Sequence, residues 1–259
     1  MAKIICIFFL WLFVSWQALA QIDPIDTDRP DQTESAVIVP KGYFQAEFGF
    51  NKENLIDRDY DLIHPTALFK YGFKKMELRL ETTFRSSYQQ LIPDPKWTTG
   101  IDPVVIGFKA ALWEEKKCLP KTSLIVHLGI PALASKDFRP EHLAPSFRFT
   151  MQNSFTDKIG LGYNIGMEWD GNSSVPYWIY TLAPGFNLGT KWYTYIELFG
   201  FLRKNESPQH SADAGIAYYI SDNVKIDLSG GFGISDAAPK NYVAIGFSFR
   251  CNTLKEHAK

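Results

Sequence analysis

An antiparallel up-and-down β-barrel of about 12 strands, all-β and of the bacterial outer-membrane type, is the architecture this sequence predicts. Three observations lead there. Apolar and polar residues alternate with period two from residue 42 to residue 249. The alternating segments run nine to twelve residues, the length a tilted strand needs to cross a bilayer. The links between them alternate between short and long, as the two ends of such a barrel require.

The strands follow in order. In 42–51, Phe44, Ala46, Phe48 and Phe50 share one face, while Gln45, Glu47 and Asn51 share the other. In 76–85, Met76, Leu78, Leu80, Thr82 and Phe84 alternate with Glu77, Arg79, Glu81, Thr83 and Arg85. Successive side chains of a strand point to opposite faces, so each segment carries one apolar and one polar row. The pattern recurs at 63–73, 103–113, 122–131, 145–153, 159–169, 177–188, 192–201, 211–220, 224–233 and 241–249. The repeat averages about 17 residues, longer than the 8–12 typical of a soluble sandwich. Tight joints stand at Lys74-Lys75, Thr156 to Lys158, Gly189 to Lys191 and Ser221 to Asn223, with a compact polar joint at 114–121. Longer links occupy 52–62, 86–102, 132–144, 170–176, 202–210 and 234–240. An even strand count puts both ends of the barrel on the short-turn side.

Composition excludes several alternatives. The chain has 259 residues, 27 Lys plus Arg against 28 Asp plus Glu, and a net charge of −1. A nucleic-acid binder would need a basic excess. A mean hydropathy of −0.14 is too low for a bundle of apolar helices, yet a barrel hides its apolarity by alternation. Cysteines at 6, 118 and 251 form no disulfide framework and show no metal-ligand spacing; whether Cys118 and Cys251 pair is left open.

Residues 1–20 read as a signal peptide. Lys3 supplies the charge, Ile4 to Val14 the apolar run, and Ala18-Leu19-Ala20 the small residues at the cleavage site. The run is too short to span ~30 Å of hydrocarbon as a helix. Cleavage after Ala20 leaves a mature chain that starts at Gln21 and resides in the cell outer membrane. Residues 21–41 form an acidic extended segment, with Asp23, Asp26, Asp28, Asp31 and Glu34 among Pro24, Pro30 and Pro40. It is expected to sit in the periplasm or to enter the barrel as a plug. The barrel occupies 42–250 and a polar tail 251–259.

If the apolar rows face lipid, the polar rows line the lumen. These rows hold Glu47, Lys70, Glu77, Arg79, Glu81, Arg85, Lys109, His127, Arg148, Glu168, Glu197, Asp213, Lys225 and Asp227. An Arg or Lys on the lipid face would cost ~2–4 kcal/mol at the midplane, so confining charge to one face supports the barrel. The leader's Asp28 and Asp31 are expected to face Lys70, Arg79, Arg85, Lys109 and Arg148, and Arg29 to face Glu77 or Glu81. Aromatic residues at strand ends (Tyr71, Phe73, Trp113, Trp169, Tyr177, Trp178, Trp192, Tyr193) are expected to form girdles at the bilayer boundary.

The string Thr27-Asp28-Arg29-Pro30-Asp31, then Thr33-Glu34-Ser35 and Val39-Pro40-Lys41-Gly42-Tyr43-Phe44-Gln45, resembles the opening of a known family. That family comprises bacterial outer-membrane transporters named for the phenol meta-degradation pathway. Leu68 to Phe73 with Met76 to Arg79, Asp102 to Lys109, Leu128 to Pro131 and Ser221 to Asp227 are similar to its later blocks. The resemblance implies an outer-membrane barrel that transports small organic compounds, aromatic ones among them, and it supplies no catalytic residues. Lys70 stands where Arg is expected, which removes bidentate pairing.

No enzyme is expected. Ser123 and His127 share a face but lie ~13 Å apart along a strand, and no nucleophile elbow or phosphate loop occurs. No cofactor or metal is expected either. The expected partners are outer-membrane lipid, the barrel-assembly machinery and a small-molecule solute, with no nucleic acid. The reading is a channel or uptake porin; a closed structural or adhesive barrel and a membrane-embedded hydrolase are the alternatives. N-terminal sequencing of membrane-fractionated protein should begin at Gln21, and a soluble periplasmic product would contradict the barrel.

Overall fold

The computed structural model describes residues 23–90 and 93–254, so the signal peptide lies outside the described residues. One sheet closes on itself through twelve antiparallel strands. They are β1 (Tyr43–Asn54), β2 (Tyr60–Gly72), β3 (Met76–Gln89), β4 (two segments, Lys96–Ile101 and Val104–Trp113), β5 (Lys121–Ile130) and β6 (Ala144–Ser154). The second half comprises β7 (Ile159–Glu168), β8 (Tyr177–Leu188), β9 (Trp192–Leu202), β10 (Gln209–Ser221), β11 (Val224–Gly233) and β12 (Asn241–Asn252). Each strand pairs with its neighbours in sequence, and β1 closes on β12 from Tyr43↔Asn252 to Asn54↔Asn241.

The burial pattern is inverted relative to a soluble protein. Leu78 and Leu80 are 49% and 43% exposed, while Glu77 and Lys109 between the same strands are fully buried. Only hydrocarbon outside and a polar interior make that arrangement stable. Ala46 is the instructive exception, outward-facing yet fully covered. The rings of Phe44, Phe48, Phe69 and Phe249 pack at centroid distances of 5.9–6.5 Å and close over it across the β12–β1–β2 seam. Polar groups on the outer face satisfy one another: His64 Nε2 lies 2.9 Å from Ser86 Oγ, which lies 2.8 Å from Thr99 Oγ1.

Several boundaries differ from the sequence reading. The link 86–102 is mostly strand: β3 runs to Gln89 and its upper half pairs with Lys96–Ile101, while its lower half pairs with residues 105–110. Asp102-Pro103 breaks β4 because proline has no N–H for the ladder. Period two fades here because Ser86, Ser87, Thr98 and Thr99 put polar groups on both faces of this hairpin. The link 52–62 shortens to residues 55–59, and β12 extends through Cys251 and Asn252, which pair with Phe44 and Tyr43. Cys118 and Cys251 are both free and exposed.

The girdle also needs correction. Phe73, Trp113, Trp178 and Trp192 are outward and exposed. Tyr177 and Tyr193 instead line interior cavities, each beside an outward-facing tryptophan, and Trp169, one residue past the end of β7, lines an interior cavity together with Glu168 and Asp170. Alternation decides the two tyrosines, since Tyr177 and Trp178, like Trp192 and Tyr193, are consecutive on a strand.

The connection 131–143 carries two short 3-10 turns, Pro131–Leu133 and Lys136–Phe138, and folds inward over the mouth. Ser135 N donates to Ile101 O at 2.9 Å, and Phe138 stacks 4.5 Å from the Arg85 guanidinium. Gly171, at φ +75°, lets His142 N reach its carbonyl at 2.8 Å where a Cβ would meet Pro140.

The two rows predict opposite responses on one strand. Leu80→Arg should impair insertion by ~2–4 kcal/mol if it lies near the midplane, whereas Glu81→Gln should insert normally. Heat-modifiable migration of the folded barrel on gels would read both, and equal behaviour would show that the faces are misassigned.

Candidate functional site in the barrel lumen

The leader crosses the interior as a hairpin without joining the sheet. It enters at the short-turn rim, where Arg250 Nη2 donates to Asp23 O at 2.8 Å and Ile25 N to Asp222 O at 2.7 Å. It rises along β11: Lys225 Nζ donates to Arg29 O at 2.9 Å, and Arg29 pairs with Asp227 at 3.1 Å. The top crosses to β9, where Glu197 accepts from Gln32 N at 2.7 Å and from the Thr33 hydroxyl at 2.6 Å. The return runs down the opposite wall. Asn164 brackets Glu34, Ser123 Oγ donates to Ala36 O at 2.7 Å, and Val39 N donates to Glu77 at 2.7 Å. Backbone polar groups need partners once buried. Here inward side chains of the strands supply them, because Pro24, Pro30 and Pro40 keep the leader from pairing as a strand.

Asp28 is the hub. Its carboxylate receives Lys70, Arg79 and Lys109, each at 2.8 Å, and the backbone N–H of Ser35 at 3.0 Å. Arg79 also reaches Glu34 at 2.8 Å, Glu77 at 2.9 Å and His127 Nε2 at 2.9 Å. Lys70 also pairs with Glu47, and Arg148 lies 3.5 Å from Glu34. The cluster thus holds Lys70, Arg79, Lys109 and Arg148 against Asp28, Glu34, Glu47 and Glu77. Without the leader's Asp28 and Glu34, these four bases would keep only Glu47 and Glu77 as ion-pair partners.

The remaining lumenal residues divide between the walls. Glu81, Arg85, His127, Arg148 and Glu168 line an upper cavity of about 800 Å³ that the leader residues 28–34 help to enclose. A side lobe of about 340 Å³ shares Gln32, Asn51, Glu168 and Tyr242 with it. On the opposite wall, Asp213 accepts from the Tyr242 hydroxyl, while Lys225 and Asp227 hold Arg29. Below the leader a second cavity of about 450 Å³ is lined by Thr27, Asp31, Ala36, Tyr193 and Lys225. At the long-loop rim, outside the strands, Asp170 is held below the usual carboxylate range. Burial opposes this, but the N–H groups of Asn172 and Ser173 and the Arg203 guanidinium outweigh it.

Two expected pairings are not made. Arg29 meets Asp227, not Glu77 or Glu81, because the leader enters beside the β10–β11 turn and residues 25–29 follow β11. Arg85 is taken by Asp102 at 2.8 Å and Asp61 at 3.5 Å, leaving Asp31 without an ion pair among the described residues. Charge alone did not reveal Gln45, Ser123, Asn164 and Thr181, which hold the leader through neutral hydrogen bonds. Their signal is positional: each stands on the inward row. Among the described residues no group of His, Cys, Asp and Glu is arranged to hold a metal ion.

A closed membrane barrel whose polar lumen is crossed by its own N-terminal segment is the class of protein these features define. Residues 27–251 match the family described as "Putative MetA-pathway of phenol degradation", and the chain belongs to that family. Its fold is similar to an outer membrane channel of Pseudomonas putida F1 (TM-score 0.65, 8% identity, 86% of this chain and 99% of that one). It is also similar to the KdgM porin in complex with disordered oligogalacturonate (TM-score 0.53, 8% identity, 79% and 98%). A third likeness is the transport unit of the autotransporter AIDA-I from Escherichia coli (TM-score 0.54, 8% identity, 94% of each chain). No curated protein matches the sequence.

Removing one member of a buried ion cluster leaves its partners uncompensated, at a cost of ~3–5 kcal/mol. Asp28→Ala should therefore lower the melting temperature or free the leader, read by thermal unfolding and by protease cleavage within residues 23–40. Asp31→Asn, which breaks no ion pair, should leave both unchanged.

Proposed function

We propose that the chain is an outer-membrane channel for uptake of small organic molecules, aromatic compounds among them, and that residues 23–40 act as its internal plug. The carrying observation is the pair of lumenal cavities, about 800 and 450 Å³, separated by the leader inside a charge-lined barrel. The short-turn rim then faces the periplasm and the long-loop rim the exterior, with delivery after cleavage at Ala20 and insertion by the barrel-assembly machinery. Lumenal Glu47, Lys70, Glu77, Arg79 and Lys109 anchor the plug, while Glu81, Arg85, His127, Arg148 and Glu168 line the entry chamber. Membership in the family and the fold's likeness to channels and porins support the reading. The occluded lumen also suits a closed structural barrel, and conductance separates the two.

Deleting residues 22–38 should raise single-channel conductance in planar bilayers while the barrel remains heat-modifiable. An unchanged conductance in a folded deletion variant would reduce the leader to a tether and favour the closed barrel.

A further inference from the structure

The upper chamber and its side lobe hold carboxyl groups that no base among the described residues answers. The chamber's bases Arg29, Arg79, Arg85 and Arg148 are all committed, to Asp227, to the Asp28 cluster, to Asp102 and Asp61, and to Glu34. Four carboxylates that line the chamber or its side lobe, Asp31, Glu53, Glu81 and Glu168, have no ion-pair partner among the described residues. The side lobe sharpens the contrast, for it is lined by Glu53 and Glu168 and by no basic residue.

The same lobe is aromatic. Tyr177, Phe199, Phe201 and Tyr242 line it, and the Phe199 and Phe201 rings meet edge to face at 6.2 Å. Tyr177 already receives a cation on its ring, since the Arg203 guanidinium lies 4.4 Å from its centroid. That guanidinium is itself held by Asp170 at 3.0 Å and Glu206 at 3.4 Å. One further acceptor of the lobe, the buried Asn51 Oδ1, has no donor among the described residues. The volume, about 340 Å³, is that of a pocket for one small molecule.

Aromatic faces attract a cation and exclude water, while flanking carboxylates supply the counter-charge. An anion placed here would meet Glu53 and Glu168 with no base to answer it. We propose that this lobe is a binding subsite for an organic ammonium ion with an apolar or aromatic body. The charged end lies toward Glu53 and Glu168 and the apolar end against Phe199 and Phe201. The subsite names the solute class of the proposed channel and rests on that reading.

Binding is measured without transport, by calorimetry on the full mature chain in a non-ionic detergent. Three probes share one ring and differ in charge: benzyltrimethylammonium, benzyl alcohol and benzoate. Benzyltrimethylammonium should bind roughly tenfold or more tightly than the other two. The double variant Glu53→Gln/Glu168→Gln should lose that preference by a similar factor while keeping its heat-modifiable migration. Because neither carboxylate has an ion-pair partner, both replacements are expected to fold; if the double variant does not, Glu168→Gln alone is tested. Phe199→Leu should weaken binding of all three probes. Benzoate or benzyl alcohol binding as tightly as the ammonium probe would overturn the subsite. So would an unchanged preference in the folded acid variant. Failure of the channel reading would instead show as an absence of conductance from the leader deletion, with probe binding intact.

Discussion

The placement of Asp28 among Lys70, Arg79 and Lys109 organises the interior. Three cations on neighbouring strands of one wall, drawn out of bulk water, are unstable unless an anion lies between them. The strands supply Glu47 and Glu77, which balance only part of that charge. The leader brings the rest on Asp28 and Glu34. The barrel's inner wall and the segment that fills it therefore form one electrostatic unit, in which Asp28 and Glu34 of the leader pair with Lys70, Arg79, Lys109 and Arg148 of the wall. Glu47, Asp28 and Lys109 are also hydrogen-bonded to backbone groups of the leader, which helps make burial at this density tolerable.

That unit explains why the outside is built as it is. With the polar rows turned inward, leucine, isoleucine and phenylalanine are left to face lipid, and the sheet must close because an open edge in hydrocarbon would leave N–H and C=O groups unpaired. The β12–β1 seam is the closure, zipped over its full length and covered by four phenyl rings. The two rows of each strand thus perform separate tasks. The outer row satisfies the membrane, and the inner row holds the leader and shapes the cavities on either side of it.

How much of this is legible in the sequence depends on whether the signal is local. The strand rows are local, so the inward set from Glu47 to Asp227 can be read from alternation, and the barrel follows. The hairpin formed by Ser86 to Gln89 and Lys96 to Ile101 is not legible, because polar residues occupy both of its faces and period two vanishes. Tyr177 and Tyr193 mislead for a related reason: position at a strand end does not reveal which face a ring takes, and only alternation with Trp178 and Trp192 does; Trp169 lies past its strand, where alternation no longer applies. Arg29 fails at longer range. Its partner depends on which turn the leader enters beside, a fact set by the contact of Ile25 with Asp222 across the lumen. Neutral anchors such as Asn164 and Ser123 carry no charge signal, although their inward register marks them as available.

The leader's mode of attachment has a mechanical consequence. It is held by side chains and ion pairs and contributes no strand to the sheet, so its departure would break the Asp28 and Arg29 clusters without unzipping a ladder. The two anchor groups have opposite sign, with acids on the leader facing bases of β2–β4 in one and Arg29 facing Asp227 of β11 in the other. Motion would stop at Gly42. That residue takes φ +77°, its N–H donates to Gly72 O at 2.9 Å, and its carbonyl accepts from the backbone and hydroxyl of Thr253 at 2.8 Å each. Immediately beyond it the β1–β12 seam begins. A glycine tied to both neighbouring strands thus separates a segment bound by charge from a wall bound by backbone pairing, and the barrel can keep its shape while its interior is rearranged.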